Sequence, residues 1–194
     1  MRTAKIERKT KETDISITLN LDGKGNHIVQ TSIPFLDHML NLLSLHSQID
    51  IEIKASGDVE VDYHHLMEDI GIVFGEAIKM ALGDKEGITR YGHALIPMDE
   101  SLAQVVIDLG GRPYLVYKMK QPRGSLSGLE VSLFQEFFRA MTNHAMMNFH
   151  IHVHYGMDIH HIFEAIFKGF GRALRQAVSL DPKMKGLPST KGKL

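Results

Sequence analysis

Residues 62–69 read DYHHLMED and residues 158–165 read DIHHIFEA, so a His-His-x-x-Glu element occurs twice in the chain. An apolar-periodic helix is predicted after each element, and the two helices share residues in register. The identical pairs are Ile70 and Ile166, Phe74 and Phe170, Gly75 and Gly171, Ala77 and Ala173, and Ala81 and Ala177. One element alone has little weight, but two elements in register with their flanks indicate an internal duplication.

The elements around the two motifs repeat in the same order. In the first half, alternation of apolar and polar residues predicts strands over 4–10, 15–21, 27–32, 49–53 and 59–63, and helical spacing predicts helices over 34–46 and 64–82. The second half predicts strands over 91–97, 102–108, 113–118 and 149–155, a turn-rich loop over 122–128, and helices over 130–148 and 159–178. The fold class is therefore α+β, with internally duplicated β-β-β-α-β-α units, each a mixed sheet with helices packed on one face.

Three segments organise the chain. Residues 1–86 are expected to form the first half of the repeat, and residues 87–180 the second half. Residues 181–194 lack periodicity and carry several cations, which indicates an irregular C-terminal tail suited to substrate binding.

The composition is that of an ordinary globular chain, with 194 residues of which 43 % are hydrophobic and 23 % are charged. The formal net charge of −1 gives no global reason to expect a nucleic acid or a membrane as partner. Because cysteine is absent, disulfides and thiolate metal sites are excluded. No apolar run is long enough to span a bilayer, and the N-terminus lacks the apolar core of a signal peptide, so we expect a cytoplasmic protein.

The two motifs carry the chemistry of metal ligands. On a helix, residues four apart share one face, so the first His of each motif can bind one ion together with the Glu. The second His is rotated by about 100° and points at a different place, so each motif is expected to serve two ions. The candidate ligands are His64, His65, Glu68, His160, His161 and Glu164. His38 and its second-half counterpart Glu136 are further candidates, and imidazole with carboxylate suits Mn²⁺, Fe²⁺ or Zn²⁺.

A second set of residues is typical of anion binding without a P-loop. Arg offers a bidentate fork to a phosphate, and Ser and Thr add hydroxyl donors. The candidates are Arg90, Arg112, Lys168, Ser189, Thr190 and Lys191. Each of these residues taken singly is more typical of a solvated surface, so this prediction depends on their convergence in the fold.

Taken together, the motifs resemble the imidazoleglycerol-phosphate dehydratase family over nearly the whole chain. The stretches that carry the resemblance are FLDHML at 35–40, GD at 57–58 ahead of the first motif, DLGGRP at 108–113, HHIFEAIFK at 160–168, RALR at 172–175 and PSTKG at 188–192. Two positions depart from the family pattern. Glu136 stands where many members carry His, and Tyr63 stands where Asp is common.

The resemblance implies a hydro-lyase that removes water from imidazole glycerol phosphate, a small-molecule phosphate, to give imidazole acetol phosphate in histidine biosynthesis. It implies two Mn²⁺ ions per active site and a homo-oligomer, a 24-mer, with sites between subunits. By motif, one ion takes His38, His64, Glu68 and His161, and the other takes His65, His160, Glu164 and Glu136. All of these ligands except Glu136 are also expected to line the substrate site.

The same resemblance assigns further roles. The phosphate is held by Arg90, Arg112, Lys168, Ser189 and Lys191, with Thr190 in the same segment. Glu12 matches a substrate-contacting acid, and His46 matches a residue of the substrate pocket. We expect Glu164 to transfer the ring-linked proton and Glu12 to act as acid and base at the glycerol carbons, with Glu68 as a third candidate catalytic carboxylate.

Two other functions fit the same metal motifs. A dinuclear metal hydrolase, such as a phosphatase, would use a metal-bridged hydroxide and release inorganic phosphate, whereas a dehydratase keeps the phosphate on its product. A metal-storage or metal-stabilised shell protein would be fully loaded without turnover. A four-helix carboxylate bundle is disfavoured by the many predicted strands.

Overall fold

The structure, a computed structural model, describes residues 1–119 and 124–192, and ten strands and four helices lie within them. The first half contains β1 (Thr3–Lys9), β2 (Thr13–Asn20), β3 (His27–Gln30), α1 (Pro34–Ser47), β4 (Asp50–Gly57) and α2 (His64–Leu82). The second half contains β5 (Tyr91–Met98), β6 (Ser101–Asp108), β7 (Tyr114–Lys118), β8 (Ser125–Leu126), β9 (Leu129–Glu130), α3 (Leu133–Ala145), β10 (Asn148–Tyr155) and α4 (Ile159–Val178). Apart from the short strands β8 and β9, the order of elements is the same in both halves.

Each half builds one four-stranded mixed sheet. The strand orders are β1-β2-β4-β3 and β5-β6-β10-β7. In both sheets the last pair is parallel and the other two pairs are antiparallel. Side chains of β2 and β6 alternate between buried and more exposed positions, so one face of each sheet covers the core. The shared topology confirms the predicted α+β fold class and matches an internal duplication.

The helices lie on the inner faces of the sheets and pack against each other across the two halves. α2 contacts β1 and β2, and α4 contacts β5 and β6. Between the layers, α1 of the first half packs on α4 of the second, and α2 packs on α3. Fully buried phenylalanines fill this interior, and each stabilises the fold by roughly 1.5–3 kcal/mol. Nowhere in 1–119 or 124–192 is a helix both long and apolar enough to cross a membrane.

Besides the strand predicted over 49–53, which extends to Gly57, three predicted segments differ from the structure. Residues 59–63 form turns and not a strand, because β4 already extends to Gly57 and Val61, 67 % exposed, has no neighbouring strand to pair with. The helix predicted over 130–148 begins at Leu133 and ends at Ala145, because β9 precedes it and Met146 adopts a left-handed φ of 54°. The loop predicted over 122–128 contains β8, and its residues 122–123 lie outside the described part of the chain.

Candidate metal centre and phosphate pocket

Both motif helices begin at a turn in which an aspartate binds the backbone of the histidines. At the start of α4, Asp158 Oδ1 accepts hydrogen bonds from the backbone N–H groups of His160 at 2.7 Å and His161 at 3.4 Å. At the start of α2, Asp62 Oδ1 accepts one from the N–H of His64 at 2.7 Å. These bonds satisfy N–H groups that a first helical turn leaves free. The Asp-x-His-His spacing therefore places both histidines in the first turn of each helix.

Three side chains from α1 and α4 form a metal-ligand group. His38 Nε2 lies 3.0 Å from Glu164 Oε1, and His160 Nε2 lies 3.1 Å from the same oxygen. One ligand atom from each of the three residues lies within 4.8 Å of the other two. Two imidazoles and a carboxylate are donors that Mn²⁺, Fe²⁺ and Zn²⁺ accept, and their spacing fits one ion. We refer to His38, His160 and Glu164 as the His38 triad.

Glu164 is the buried member of the His38 triad. Burial is the largest influence on the pKa of its carboxyl group and raises it, but hydrogen bonds with Lys168, His38 and His160 outweigh burial and hold the pKa at about 2. The carboxylate is therefore ionised at neutral pH, which is the state that a metal ligand requires.

The structure groups His38 differently from the sequence prediction. The resemblance assigns His38 to the ion held by His64 and Glu68, whereas in the chain it lies with His160 and Glu164. Within one chain, His38 is therefore grouped with ligands of the second motif. The physical reason is the helix packing, because α1 lies against α4 of the other half of the chain.

Glu136 is the positional counterpart of His38. The three atoms nearest to an added Cβ correspond in pairs: at Gly171 they are Leu43 O, His46 Cβ and Ser47 N, and at Gly75 they are Met141 O, His144 Cβ and Ala145 N. The two helix crossings thus correspond position by position, and the same offset takes His38 of α1 to Glu136 of α3. The counterpart of the His38 triad consists of His64, Glu68 and Glu136, which we call the Glu136 set. In this set, His64 Nε2 lies 3.6 Å from Glu68 Oε2.

The second histidine of each motif is held by a carboxylate through Nδ1. His65 Nδ1 lies 3.0 Å from Asp58 Oδ2, and His161 Nδ1 lies 2.8 Å from Glu100 Oε2. These hydrogen bonds are the main cause of a raised pKa at both imidazoles. A carboxylate at Nδ1 leaves Nε2 as the metal-binding atom. Sequence reasoning missed both partners, since Asp58 lies before the helix and Glu100 is 61 residues from His161.

Glu12 lies in the turn between β1 and β2, which Asp69 ties to α2. The buried carboxylate of Asp69 accepts a hydrogen bond from Thr13 Oγ1 at 2.6 Å and one from Arg8 Nε at 3.2 Å. Glu12 Oε2 lies 3.9 Å from His65 Nδ1, and the Glu12 side chain is 56 % exposed. The fold therefore holds the predicted acid next to the first motif with its carboxylate open to solvent.

A cavity of about 340 Å³ gathers most of the residues predicted to bind phosphate. Its lining consists of Arg90, Gly110, Gly111, Arg112, Ser189, Thr190 and Lys191. The Arg90 guanidinium donates to the Asp108 carboxylate through Nε at 2.6 Å and Nη2 at 3.1 Å, and to the Pro188 carbonyl oxygen through Nη1 at 2.9 Å. Arg90 thereby holds the C-terminal tail beside the glycine-rich loop, and among the described residues two of its five N–H donors have no partner.

Lys168 lies at the His38 triad and does not line this cavity. Its Nζ donates to Glu164 Oε2, so the predicted convergence of Lys168 with the other phosphate ligands does not occur within one chain. His46 on α1 is partly buried in the same region. Burial, followed by the positive charges of Lys168 and Arg172, lowers the pKa of His46.

The chain matches known proteins along its length. A family model for imidazoleglycerol-phosphate dehydratase matches residues 31–174. The curated imidazoleglycerol-phosphate dehydratases of Heliobacterium modesticaldum and Pelobacter propionicus are 57 % and 53 % identical, over 100 % of this chain and 100 % and 99 % of theirs. The crystal structure of the Staphylococcus aureus enzyme aligns with a TM-score of 0.84 at 37 % identity, covering 92 % of this chain and 99 % of that chain. The Pyrococcus furiosus structure, in complex with (S)-C348, gives 0.83 at 37 % identity, covering 97 % and 100 %.

The fold is a duplicated α+β fold with imidazole and carboxylate donors between its helices. Together with these relatives, it defines the class of the protein as a metal-dependent dehydratase. The chain belongs to the imidazoleglycerol-phosphate dehydratase family. It is a hydro-lyase that converts imidazole glycerol phosphate to imidazole acetol phosphate in histidine biosynthesis, which confirms the function predicted from the sequence.

Proposed function

We propose that the dehydration uses two Mn²⁺ ions per active site, one bound by the His38 triad and one by the Glu136 set. The spacing of the His38 triad, with its ligand atoms within 4.8 Å of one another, is the observation that supports this proposal. Nitrogen and oxygen donors without sulfur suit Mn²⁺. The correspondence of His38 with Glu136 extends the argument to the second ion, since a carboxylate can replace an imidazole as a ligand.

We further propose that neighbouring subunits of a 24-mer complete both metal sites. Across residues 1–119 and 124–192, the His38 triad is the one group of three or more candidate ligands close enough to share an ion. Mn²⁺ normally takes more ligands than these three side chains supply. Nε2 of His65 would serve the His38 triad of another subunit, and Nε2 of His161, which lies 3.8 Å from Asp99 Oδ2, would serve the Glu136 set of another subunit. For a cysteine-free enzyme of amino-acid biosynthesis, we propose the cytoplasm as its location.

The substrate explains why cations are needed. The proton to be removed is on a carbon next to the imidazole ring and is not acidic unaided. Bound Mn²⁺ ions would supply positive charge at the ring nitrogens and so stabilise the negative charge that enters the ring. We propose that Glu164, which is ionised and hydrogen-bonded by Lys168, handles the ring-linked proton, with Glu68 as its counterpart in the other set.

Glu12 is the proposed acid and base at the glycerol carbons. From the described residues its carboxylate accepts no hydrogen bond, and its side chain is more exposed than those of Asp58 and Glu100, which hold the second histidines of the motifs. It can therefore take up and return a proton at Oε2, which faces the ring of His65 at 3.9 Å.

The cavity at Arg112 is the proposed phosphate pocket. Within 1–119 and 124–192 the Arg112 guanidinium has no hydrogen bond or ion pair, so its fork is available for a phosphate. Thr190 and Lys191 approach from the tail, together with Ser189. Binding the phosphate would place the glycerol and imidazole parts of the substrate at a fixed distance from the pocket. Lys168 would contact the phosphate only if a neighbouring subunit supplied it.

A metal-content measurement paired with a dehydration assay tests this proposal. The wild type is expected to hold two Mn²⁺ per chain, and His64→Ala and His160→Ala are expected to lose metal and at least about 10²-fold in turnover. His150→Ala, at an exposed position on β10, is the matched control. Full turnover after chelation would contradict the proposal, release of inorganic phosphate would indicate a hydrolase, and full occupancy without turnover would indicate storage.

A further inference from the structure

The turns before β2 and β6 are counterparts in the two halves, and each ends in a glutamate. Glu12 directly precedes β2, and Glu100 directly precedes β6. Each glutamate lies beside the second histidine of the motif in its own half. Glu12 Oε2 is 3.9 Å from His65 Nδ1, and Glu100 Oε2 is 2.8 Å from His161 Nδ1. The duplication has therefore placed one carboxylate at the same point of each half.

Glu100 is fixed on both of its oxygens. Oε1 accepts hydrogen bonds from the backbone N–H groups of Met157 at 3.1 Å and Asp158 at 2.9 Å, and from Ser101 Oγ at 2.8 Å. Oε2 accepts from the imidazole of His161. The same carboxylate therefore binds the backbone just before α4 and the ring that α4 carries, so the ring cannot turn independently of the helix start.

In the first half, Asp58 takes the place that Glu100 has in the second half. Asp58 Oδ2 lies 3.0 Å from His65 Nδ1, within hydrogen-bonding distance. Because Asp58 occupies this nitrogen, Glu12 stays 3.9 Å away with a side chain that is 56 % exposed, against 30 % for Glu100. The two counterpart glutamates have thus acquired different surroundings, one open to solvent and one fully engaged.

We propose that Glu100 is the positioning residue for His161: it accepts the Nδ1 proton and thereby directs an unprotonated Nε2 at the metal ion. This inference rests on the proposed metal function and adds a residue to it, since neither the motifs nor the proposed ligand sets include Glu100. A carboxylate on the far nitrogen of a ligating histidine fixes its tautomer and orientation and increases its basicity as a ligand. Glu12, freed from this task by Asp58, is left for the substrate.

Glu100→Gln and Glu12→Gln form a matched pair, because the same substitution is made at counterpart positions. Each variant is titrated with Mn²⁺ as the full assembly, free Mn²⁺ is followed by electron paramagnetic resonance, and kcat is measured across the same titration. We expect Glu100→Gln to lower the affinity for one of the two Mn²⁺ ions about 10–100-fold. Most of the wild-type kcat should return at saturating Mn²⁺. We expect Glu12→Gln to keep wild-type Mn²⁺ affinity while kcat falls at every Mn²⁺ concentration.

Wild-type affinity for both ions in Glu100→Gln overturns the inference, whatever happens to kcat. Glu100→Asp keeps the charge but is one methylene shorter, so it is expected to bind Mn²⁺ with intermediate affinity. Light scattering and thermal unfolding show whether Glu100→Gln assembles. If it does not, Glu100→Asp becomes the test, and wild-type Mn²⁺ affinity in that variant overturns the inference. A wild-type protein that binds no Mn²⁺ would instead refute the proposed function, so the two failures are distinguishable.

Discussion

Gly171 of α4 lies so close to the backbone of Leu43 in α1 that a Cβ at position 171 would stand 2.8 Å from the Leu43 carbonyl oxygen. Only glycine fits this approach without displacing a helix. The close crossing brings His38 of α1 within 3.0 Å of Glu164 of α4. Gly75 makes the same approach to α3, where a Cβ would stand 2.5 Å from the Met141 carbonyl oxygen. The ligand geometry therefore depends on two backbone contacts as well as on the ligands.

Gly171→Ala is expected to destabilise the protein by about 1–3 kcal/mol, because the added methyl group overpacks the crossing of α1 and α4. It should also separate His38 from Glu164 and so weaken Mn²⁺ binding. Thermal unfolding with and without Mn²⁺ measures both effects. Arg175→Ala, at an exposed position of the same helix, is the control and should change stability by less than about 0.5 kcal/mol. Wild-type stability and Mn²⁺ affinity in Gly171→Ala would show that the crossing has room to adjust.

The elements of this fold could be predicted more fully than their contacts. Apolar periodicity, together with the aspartates and histidines at their starts, marks α2 and α4 at the residues observed, His64–Leu82 and Ile159–Val178. The alternation over 59–63 is misleading because a strand needs a neighbour, and sequence alternation cannot supply one. Val61 is accordingly exposed in a turn.

The ligand residues could be recognised from the sequence, but not their grouping. His38 is 126 residues from Glu164, and the motif spacing contains no information that α1 crosses α4 and not α2. Glu100 is missed for the same reason, since a hydrogen bond to His161 links a turn to a distant helix. Residues that share one helix face are predictable from spacing, whereas residues that meet through tertiary packing are not.

Asp69→Asn is expected to loosen the turn that carries Glu12. Asp69 is buried, accepts a hydrogen bond from Thr13 and pairs with Arg8, whose Nη2 lies 3.1 Å from Asp69 Oδ1. Removing the charge should destabilise the protein by about 1–3 kcal/mol. The fold-decrease in kcat should exceed the fold-decrease in Mn²⁺ affinity, because Glu12 is no longer held in place. Chemical denaturation and steady-state kinetics measure these effects. Equal losses of kcat and Mn²⁺ affinity would mean that the whole of α2 has moved.

The stability of the metal-free protein should depend on pH through His46. Burial and the charges of Lys168 and Arg172 lower the pKa of His46 in the folded state, although Glu164 opposes them. Because the folded pKa lies below the unfolded one, the neutral imidazole favours folding above the unfolded pKa, and this contribution is lost as the pH falls through the folded pKa.

The wild type should therefore lose more stability than His46→Gln when the pH is lowered from 8 to about 5, since the unfolded pKa of a histidine is about 6.5. The midpoints of thermal unfolding at several pH values measure this difference, and histidines common to both proteins cancel. His150→Gln, at an exposed position on β10, controls for the loss of any histidine. Parallel pH profiles for the wild type and His46→Gln would contradict the prediction.

Arg112→Lys should weaken substrate binding through the phosphate. Lysine keeps the positive charge but loses the planar fork, so KM for imidazole glycerol phosphate should rise about 10–100-fold with a smaller change in kcat. The backbone contact at this position, from Asn148 Nδ2 to the Arg112 carbonyl oxygen at 2.6 Å, does not involve the substituted side chain. The same assay with imidazole glycerol, which lacks the phosphate, is the decisive control. If the phosphate-free compound distinguishes wild type from variant as strongly as the natural substrate does, Arg112 acts on the fold of the tail and not on the phosphate.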